Sequence, residues 1–265
     1  MTIKNTLPIG FFDSGVGGLS VLSRFRKLLP NENVVYYGDT IHLPYGNKSQ
    51  EELVGYAKNI LNFMQTKNVK AVVIACNTSS AQAYDTIKNV YPYPFNIYPI
   101  IQTCAKGLGV NNYKRLGVFA TEATVKSGKY TEELKKHNLN IQVKEMASKN
   151  WVGIVEGVGE NIEENRLHIK DEIEEMLEFK PDKIILGCTH YPYLMNGFVK
   201  YAPRELFIDP ADVFVKYIKH DLNTLNLLNQ SKEAGKEEFY VSSKPKEFVE
   251  NAKLFYEVKN LPIVI

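Results

Sequence analysis

Two cysteines in this chain stand in matched settings that suit proton transfer. Ala75-Cys76-Asn77-Thr78 and Gly187-Cys188-Thr189-His190 each follow a short apolar run and continue into polar, capping residue types. That pattern puts each thiol at the carboxyl end of a buried strand, where open α/β sheets bind their ligands. A thiol at a helix start feels backbone N–H groups and the positive helix end, which lower its pKa from about 8.5 toward neutrality. A general acid or base works best with a pKa near the working pH. The sequence therefore predicts two acidified thiols, one at each of two strand ends. A single buried cysteine is as readily inert packing; it is the repeated setting that points to chemistry. Cys104, in Gln102-Thr103-Cys104-Ala105-Lys106, lies outside both.

Three further segments could surround such thiols. Asp13-Ser14-Gly15-Val16-Gly17-Gly18 follows an apolar run and opens a helical pattern. Its glycines let backbone N–H groups approach an anion at a helix start. A dinucleotide site is the rival here, with Asp39 placed for a ribose, but Ser20 stands where the third glycine of that fingerprint belongs. Simple capping by Asp13 and Ser14 is the plain alternative. Asp39-Thr40-Ile41-His42-Leu43-Pro44-Tyr45-Gly46 is a turn by composition, and beside a strand end Tyr45 and Gly46 would line a small pocket. His190, two residues beyond Cys188, is placed to orient or acidify that thiol.

These groups need a frame. Ile9–Phe12, Val34–Tyr37, Ala71–Ala75, Leu116–Phe119 and Ile184–Leu186 read as buried strands. From Ser49 to Met64 the apolar and small positions Leu53, Tyr56, Ala57, Ile60, Leu61 and Met64 form one helical stripe, with Ser49 and Glu52 in capping-box relation. Helices are also predicted from about Gly18 to Leu29 and, acidic in character, from about Ile162 to Phe179. Alternation of this kind predicts an α/β protein whose mainly parallel sheets are flanked by helices. The echo between the two cysteine settings, a small domain's length apart, suggests two similar lobes with the active site in the cleft between them. Residues 1–100 plus 210–265 would form the lobe carrying Cys76, completed by a strand around Phe239-Tyr240-Val241, and residues 101–209 the lobe carrying Cys188.

Bulk properties narrow the classes. The 265 residues are 44% apolar and 23% charged, with a net charge of +2, which gives no sign of a nucleic-acid or anionic-membrane partner. Apolar runs are too short to span a bilayer, and the early entry into Pro8-Ile9-Gly10 leaves no room for a signal peptide. A cytoplasmic protein is expected. Three cysteines do not make a disulfide framework, and neither a CxxC pair nor zinc-finger spacing occurs. The thiols are then expected to act free, without metal or other cofactor.

DSGVGG at Asp13–Gly18, D-x-x-x-x-PYG at Asp39–Gly46, ACNTSSA at Ala75–Ala81 and GCTHYP at Gly187–Pro192 together resemble the aspartate/glutamate racemases, and glutamate racemase in particular. The resemblance extends over nearly the whole chain. It implies an isomerase that interconverts L- and D-glutamate with Cys76 and Cys188 as its two bases, needs no cofactor, and supplies D-glutamate for peptidoglycan. It also implies that Asp13, Ser14, Tyr45, Gly46, Asn77, Thr78, Thr189 and His190 hold the amino acid. The family's threonine pair falls on Thr121 and Thr124, and its cleft glutamate on Glu156; Asp13 and His190 would assist proton transfer at Cys76 and Cys188. Three places depart from the family pattern: His42, Gln102-Thr103 and the segment Trp151–Glu156.

Two bases on opposite faces of a planar carbanion suit racemisation, one as thiolate while the other is thiol, so they titrate as a pair. Donors such as Asn77, Thr78, Thr189 and the glycine loop would stabilise the growing charge. Rival readings are a thiol hydrolase, a zinc enzyme using Cys76, Cys188 and His190, a non-catalytic amino-acid-binding module and an aspartate racemase. A homodimer is compatible with the sequence, and no residue pattern specifies one.

Overall fold

A computed structural model of the chain describes residues 3–109, 112–148, 150–157 and 162–265, the side chains of 3–4 and 162–166 excepted. Among the described residues, ten strands are arranged in two sheets. The first holds β1 (Ile9–Asp13), β2 (Val34–Gly38), β3 (Ala71–Ile74), β4 (Asn96–Pro99), β9 (Glu237–Val241) and β10 (Ile263–Val264) in the order β10-β9-β2-β1-β3-β4. The second holds β5 (Arg115–Ala120), β6 (Gln142–Ala147), β7 (Lys183–Gly187) and β8 (Phe207–Ile208) in the order β6-β5-β7-β8. Every strand pair among the described residues is parallel, as the alternation of apolar runs with helical patterns predicts. The strand around Phe239 joins the first sheet, pairing with β2 along its whole length.

Strand side chains alternate between faces, and here both faces are covered. Phe11, Tyr36 and Val73 point into a central cluster that continues without a break to Val118 and Ile185 of the second sheet. The helices Leu19–Leu28, Ile100–Gly107 and Pro210–Thr224 contribute Leu22, Phe25, Ile101, Phe214 and Ile218 to the same cluster. On the far face of the first sheet Phe12, Val72 and Ile74 meet Leu53, Ala57, Ile60, Leu61 and Met64 of the Gln50–Thr66 helix. That stripe matches the helical spacing in the sequence, and the Ser49–Glu52 capping box is formed in both directions. The outer face of the second sheet buries Phe119, Ile184 and Leu186 under Trp151, Ile173 and Met176. Parallel strands buried on both faces read as continuous apolar runs, which is why β1, β3, β5 and β7 are plain in the sequence.

This topology places β1, β3, β5 and β7 at the centres of their sheets. Their carboxyl ends carry Asp13, Cys76, Thr121 and Cys188, respectively.

Candidate active site

Cys76 follows β3 and caps the short helix Asn77–Gln82, its Sγ accepting from the Ser79 N–H at 3.5 Å. Gln102 holds this helix in place: its Oε1 accepts from Ser80 Oγ at 2.7 Å and its Nε2 donates to the Ser80 carbonyl at 3.1 Å. Cys188 follows β7, and His190 folds back so that its Nδ1 lies 3.8 Å from Cys188 Sγ. His190 Nε2 lies 3.0 Å from Glu156 Oε1. Both thiols line one cavity of about 350 Å³, with Ser14, Tyr45, Gly46, Asn77, Thr78, Thr121, Glu156, Thr189 and His190 around them and Leu43, Pro44 and Val152 as apolar wall.

Polar partners fix this wall. Asp39 is buried and accepts from the Tyr45 hydroxyl and, at 2.8 Å, from His42 Nδ1; the His42 ring also stacks on Tyr56 at 3.8 Å. Thr78 and Thr121, at the ends of the two sheets, bring their hydroxyls to 3.2 Å, and Thr121 bonds Thr124 at 3.0 Å. The Tyr36 hydroxyl donates to the Gly15 carbonyl at 2.8 Å and steadies the glycine loop. Trp151 is buried among Phe119, Tyr191 and Phe198 and so carries Val152 and Glu156 to the cavity.

Titration departs from the sequence expectation at Cys76. Its pKa is pushed up to about 11, by burial first and then by the nearby charges of Asp13 and Cys188, against the lowering effect of the Ser79 N–H. A six-residue helix offers little dipole, and desolvation of a buried thiolate outweighs it. With its pKa raised in this way, Cys76 is a thiol at neutral pH. Asp13 is also raised, chiefly by burial, though the Gly15 N–H at 3.1 Å and His190 oppose this; its Oδ2 is buried without a hydrogen-bond partner among the described residues. Burial works against protonation of His190, but its hydrogen bonds to Cys188 and Glu156 prevail and lift its pKa to about 10. An imidazolium therefore donates toward the Cys188 sulfur on one side and the Glu156 carboxylate on the other. Burial and Asp39 raise Tyr45 far beyond the usual phenol range, so it remains a donor.

Eleven of the thirteen residues singled out in the sequence share the cavity wall: Cys76, Cys188, His190, Glu156, Ser14, Tyr45, Gly46, Asn77, Thr78, Thr121 and Thr189. Asp13 lies beneath the wall, close enough to Cys76 to raise its pKa. Thr124 is fully buried behind Thr121. The glycine loop also differs from the anion-cradle reading. A Cβ at Gly17 would stand 2.3 Å from Thr189 Oγ1 and 2.5 Å from His190 Cε1, and one at Gly18 2.5 Å from Asp13 Cβ. These glycines let the Cys188 loop and Asp13 approach the loop closely. Leu43 and Pro44, in a turn, and Val152, on the helix Trp151–Val155, complete the wall; the sequence does not single them out, since apolar side chains carry no chemical signal. Cys76, Cys188 and His190 do not converge as metal ligands: among the described residues, only Asp85, Glu132 and Glu133 bring three ligand atoms within 4.8 Å of one another. The Lys129 ammonium bonds two of those, at 2.7 and 2.6 Å.

Two thiols at opposed strand ends, ringed by hydroxyl and amide groups, share one cavity between two parallel α/β sheets. The sequence profile of the Asp/Glu/hydantoin racemases matches residues 18–218, and the chain belongs to that family. A glutamate racemase of Caldanaerobacter subterraneus is 40% identical over 250 residues, 93% of this chain and 92% of its own. Among solved structures, glutamate racemase from Francisella tularensis in complex with D-glutamate superposes with a TM-score of 0.89 at 32% identity, over 98% of both chains. The Thermus thermophilus glutamate racemase bound to β-chloro-D-alanine gives 0.84 at 30% identity, over 98% of this chain and 97% of its own.

Proposed function

We propose that this racemase interconverts L- and D-glutamate by a two-thiol mechanism, with Cys76 and Cys188 serving opposite faces of Cα. The observation that carries the reading is that both thiols, one from each sheet, line a single cavity with Asn77, Thr78, Thr121 and Thr189. The named relatives supply the substrate.

Starting from L-glutamate, the Cys188 thiolate takes the Cα proton. An S–H bond forms, and the C–H electron pair passes into the carboxylate-stabilised carbanion. The Cys76 thiol, protonated at neutral pH, delivers its proton to the other face and is left as thiolate. The reverse direction exchanges the roles. His190 steadies charge on Cys188 and is itself held by Glu156, while Asp13 lies near Cys76 and relays protons to it. Preoriented donors from Ser14, Tyr45, Gly46, Asn77, Thr78, Thr121, Thr124 and Thr189, directly or through a neighbour, bind the amino acid and stabilise the carbanion. Thiols and donors suffice for this step; it calls on no metal and no pyridoxal phosphate.

The two bases fall to two lobes, residues 1–100 plus 210–265 and residues 101–209. No helix among the described residues is long and apolar enough to cross a membrane. A cytoplasmic enzyme feeding D-glutamate to peptidoglycan precursors follows from the family resemblance. Purified protein treated with chelator should interconvert the glutamate enantiomers and be much slower on aspartate. Activity that appears only with added zinc or pyridoxal phosphate, or only on aspartate, would overturn the reading.

A further inference from the structure

Tyr130 belongs to neither cysteine motif, yet it touches both. It lies on the helix Lys129–His137 that follows β5, and it is almost wholly buried. Its hydroxyl donates to Asn77 Oδ1 at 2.7 Å, across from the second sheet to the residue after Cys76. Its ring packs against the residue before Cys188: a Cβ at Gly187 would stand 2.9 Å from Tyr130 Cε2. Glycine at 187 thus makes room for this ring.

The bond has a consequence for Asn77. An amide side chain carries one acceptor and two donor hydrogens on its nitrogen. With Oδ1 engaged by Tyr130, the amide cannot rotate without losing a buried hydrogen bond. Burial holds the Tyr130 hydroxyl protonated well past the usual phenol range, so at working pH it keeps the hydrogen that the Asn77 carbonyl oxygen accepts. Asn77 Nδ2 is then left buried without a partner among the described residues, in a residue that lines the cavity. Buried donors in native proteins are nearly always satisfied, and a carboxylate in the cavity would satisfy this one.

We infer that Tyr130 is a positioning residue: it sets the Asn77 amide so that Nδ2 presents a donor to the substrate carboxylate, and it ties that donor's place to the Cys188 loop through Gly187. The inference rests on the glutamate reading, and the experiment separates the two.

The test is a double-mutant cycle with Tyr130→Phe and Asn77→Ala, read by calorimetric binding of D-glutamate and, where turnover persists, by kcat and KM. Tyr130→Phe keeps the ring against Gly187 and removes only the hydroxyl. It should weaken D-glutamate binding about tenfold, the order of one hydrogen bond lost at a charged ligand. In the Asn77→Ala background the same change should alter binding by less than about twofold, because the group it orients is gone. Thermal midpoints of all four proteins report any purely structural cost. An equal loss in both backgrounds, or wild-type binding by Tyr130→Phe, would overturn the inference. Wild-type protein that neither binds nor racemises glutamate would instead overturn the substrate reading.

Discussion

Gly17→Ala puts the geometry of the site to a quantitative test without removing a functional group. The added Cβ would lie 2.3 Å from Thr189 Oγ1 and 2.5 Å from His190 Cε1, whereas ordinary contact begins near 3.4 Å. The Thr189-His190 segment or the glycine loop must therefore retreat by about 1 Å. His190 cannot move alone, since its ring bonds Glu156 at 3.0 Å and packs edge-on against Phe255 at 5.5 Å. A misplacement of about 1 Å at reacting groups can cost on the order of 100-fold in rate, and overpacking costs roughly 1–3 kcal/mol in stability. Gly17→Ala should thus lower kcat/KM for D-glutamate about 100-fold, followed by polarimetry, while the protein stays folded at 25 °C. Gly55→Ala is the contrast: the site has open space around it in the middle of a helix, so activity should hold and stability rise by about 0.5–1 kcal/mol. Wild-type kcat/KM in Gly17→Ala would refute the claim that close approach of the two loops sets the catalytic geometry.

Two other outcomes follow from buried titratable groups. The folded pKa of His190, raised from 6.5 to about 10, contributes stability that is full below pH 6.5 and lost as pH rises through 10. Glu156→Gln removes one of the groups that raise it. Urea midpoints of wild type and variant should therefore differ most near neutral pH and converge by about pH 10; a constant offset would show that Glu156 does not hold the imidazolium. Cys104 is completely buried, with a thiol pushed far up by desolvation and outside the cavity. Cys104→Ser should cost about 1–3 kcal/mol through an added buried hydroxyl yet keep kcat near wild type, and a large fall in kcat would place Cys104 in the chemistry.

The sequence shows the central strands and the two thiols because both have local signatures. β1, β3, β5 and β7 are continuous apolar runs, and Ser49 with Glu52 marks a helix start that forms as expected. β4 and β6 are not legible in this way: Asn96–Pro99 and Gln142–Ala147 are edge strands with exposed and half-buried positions, so their pattern is diluted. At the site, residue types identify the wall, but what holds it depends on partners distant in sequence. Asp39 is placed like a ribose acid, yet it anchors Tyr45 and His42. Gln102, a departure from the family pattern, secures the helix beginning at Cys76. The rise in the Cys76 pKa is the clearest case. The helix start is local and visible, while the burial that overrides it comes from the whole fold.

The most direct measurement of the central claim is deuterium incorporation at Cα in D₂O, starting separately from L- and D-glutamate, with wild type, Cys76→Ser and Cys188→Ser. Serine's hydroxyl is far less acidic than a thiol, so each variant lacks a working base on one face. The two-thiol account predicts that wild-type enzyme labels both enantiomers and inverts them. Each variant should fail to racemise, with any surviving exchange confined to one enantiomer: the L form in Cys76→Ser, which keeps Cys188, and the D form in Cys188→Ser. Racemisation at the wild-type rate in either variant, or equal labelling of both enantiomers by both variants, would contradict it.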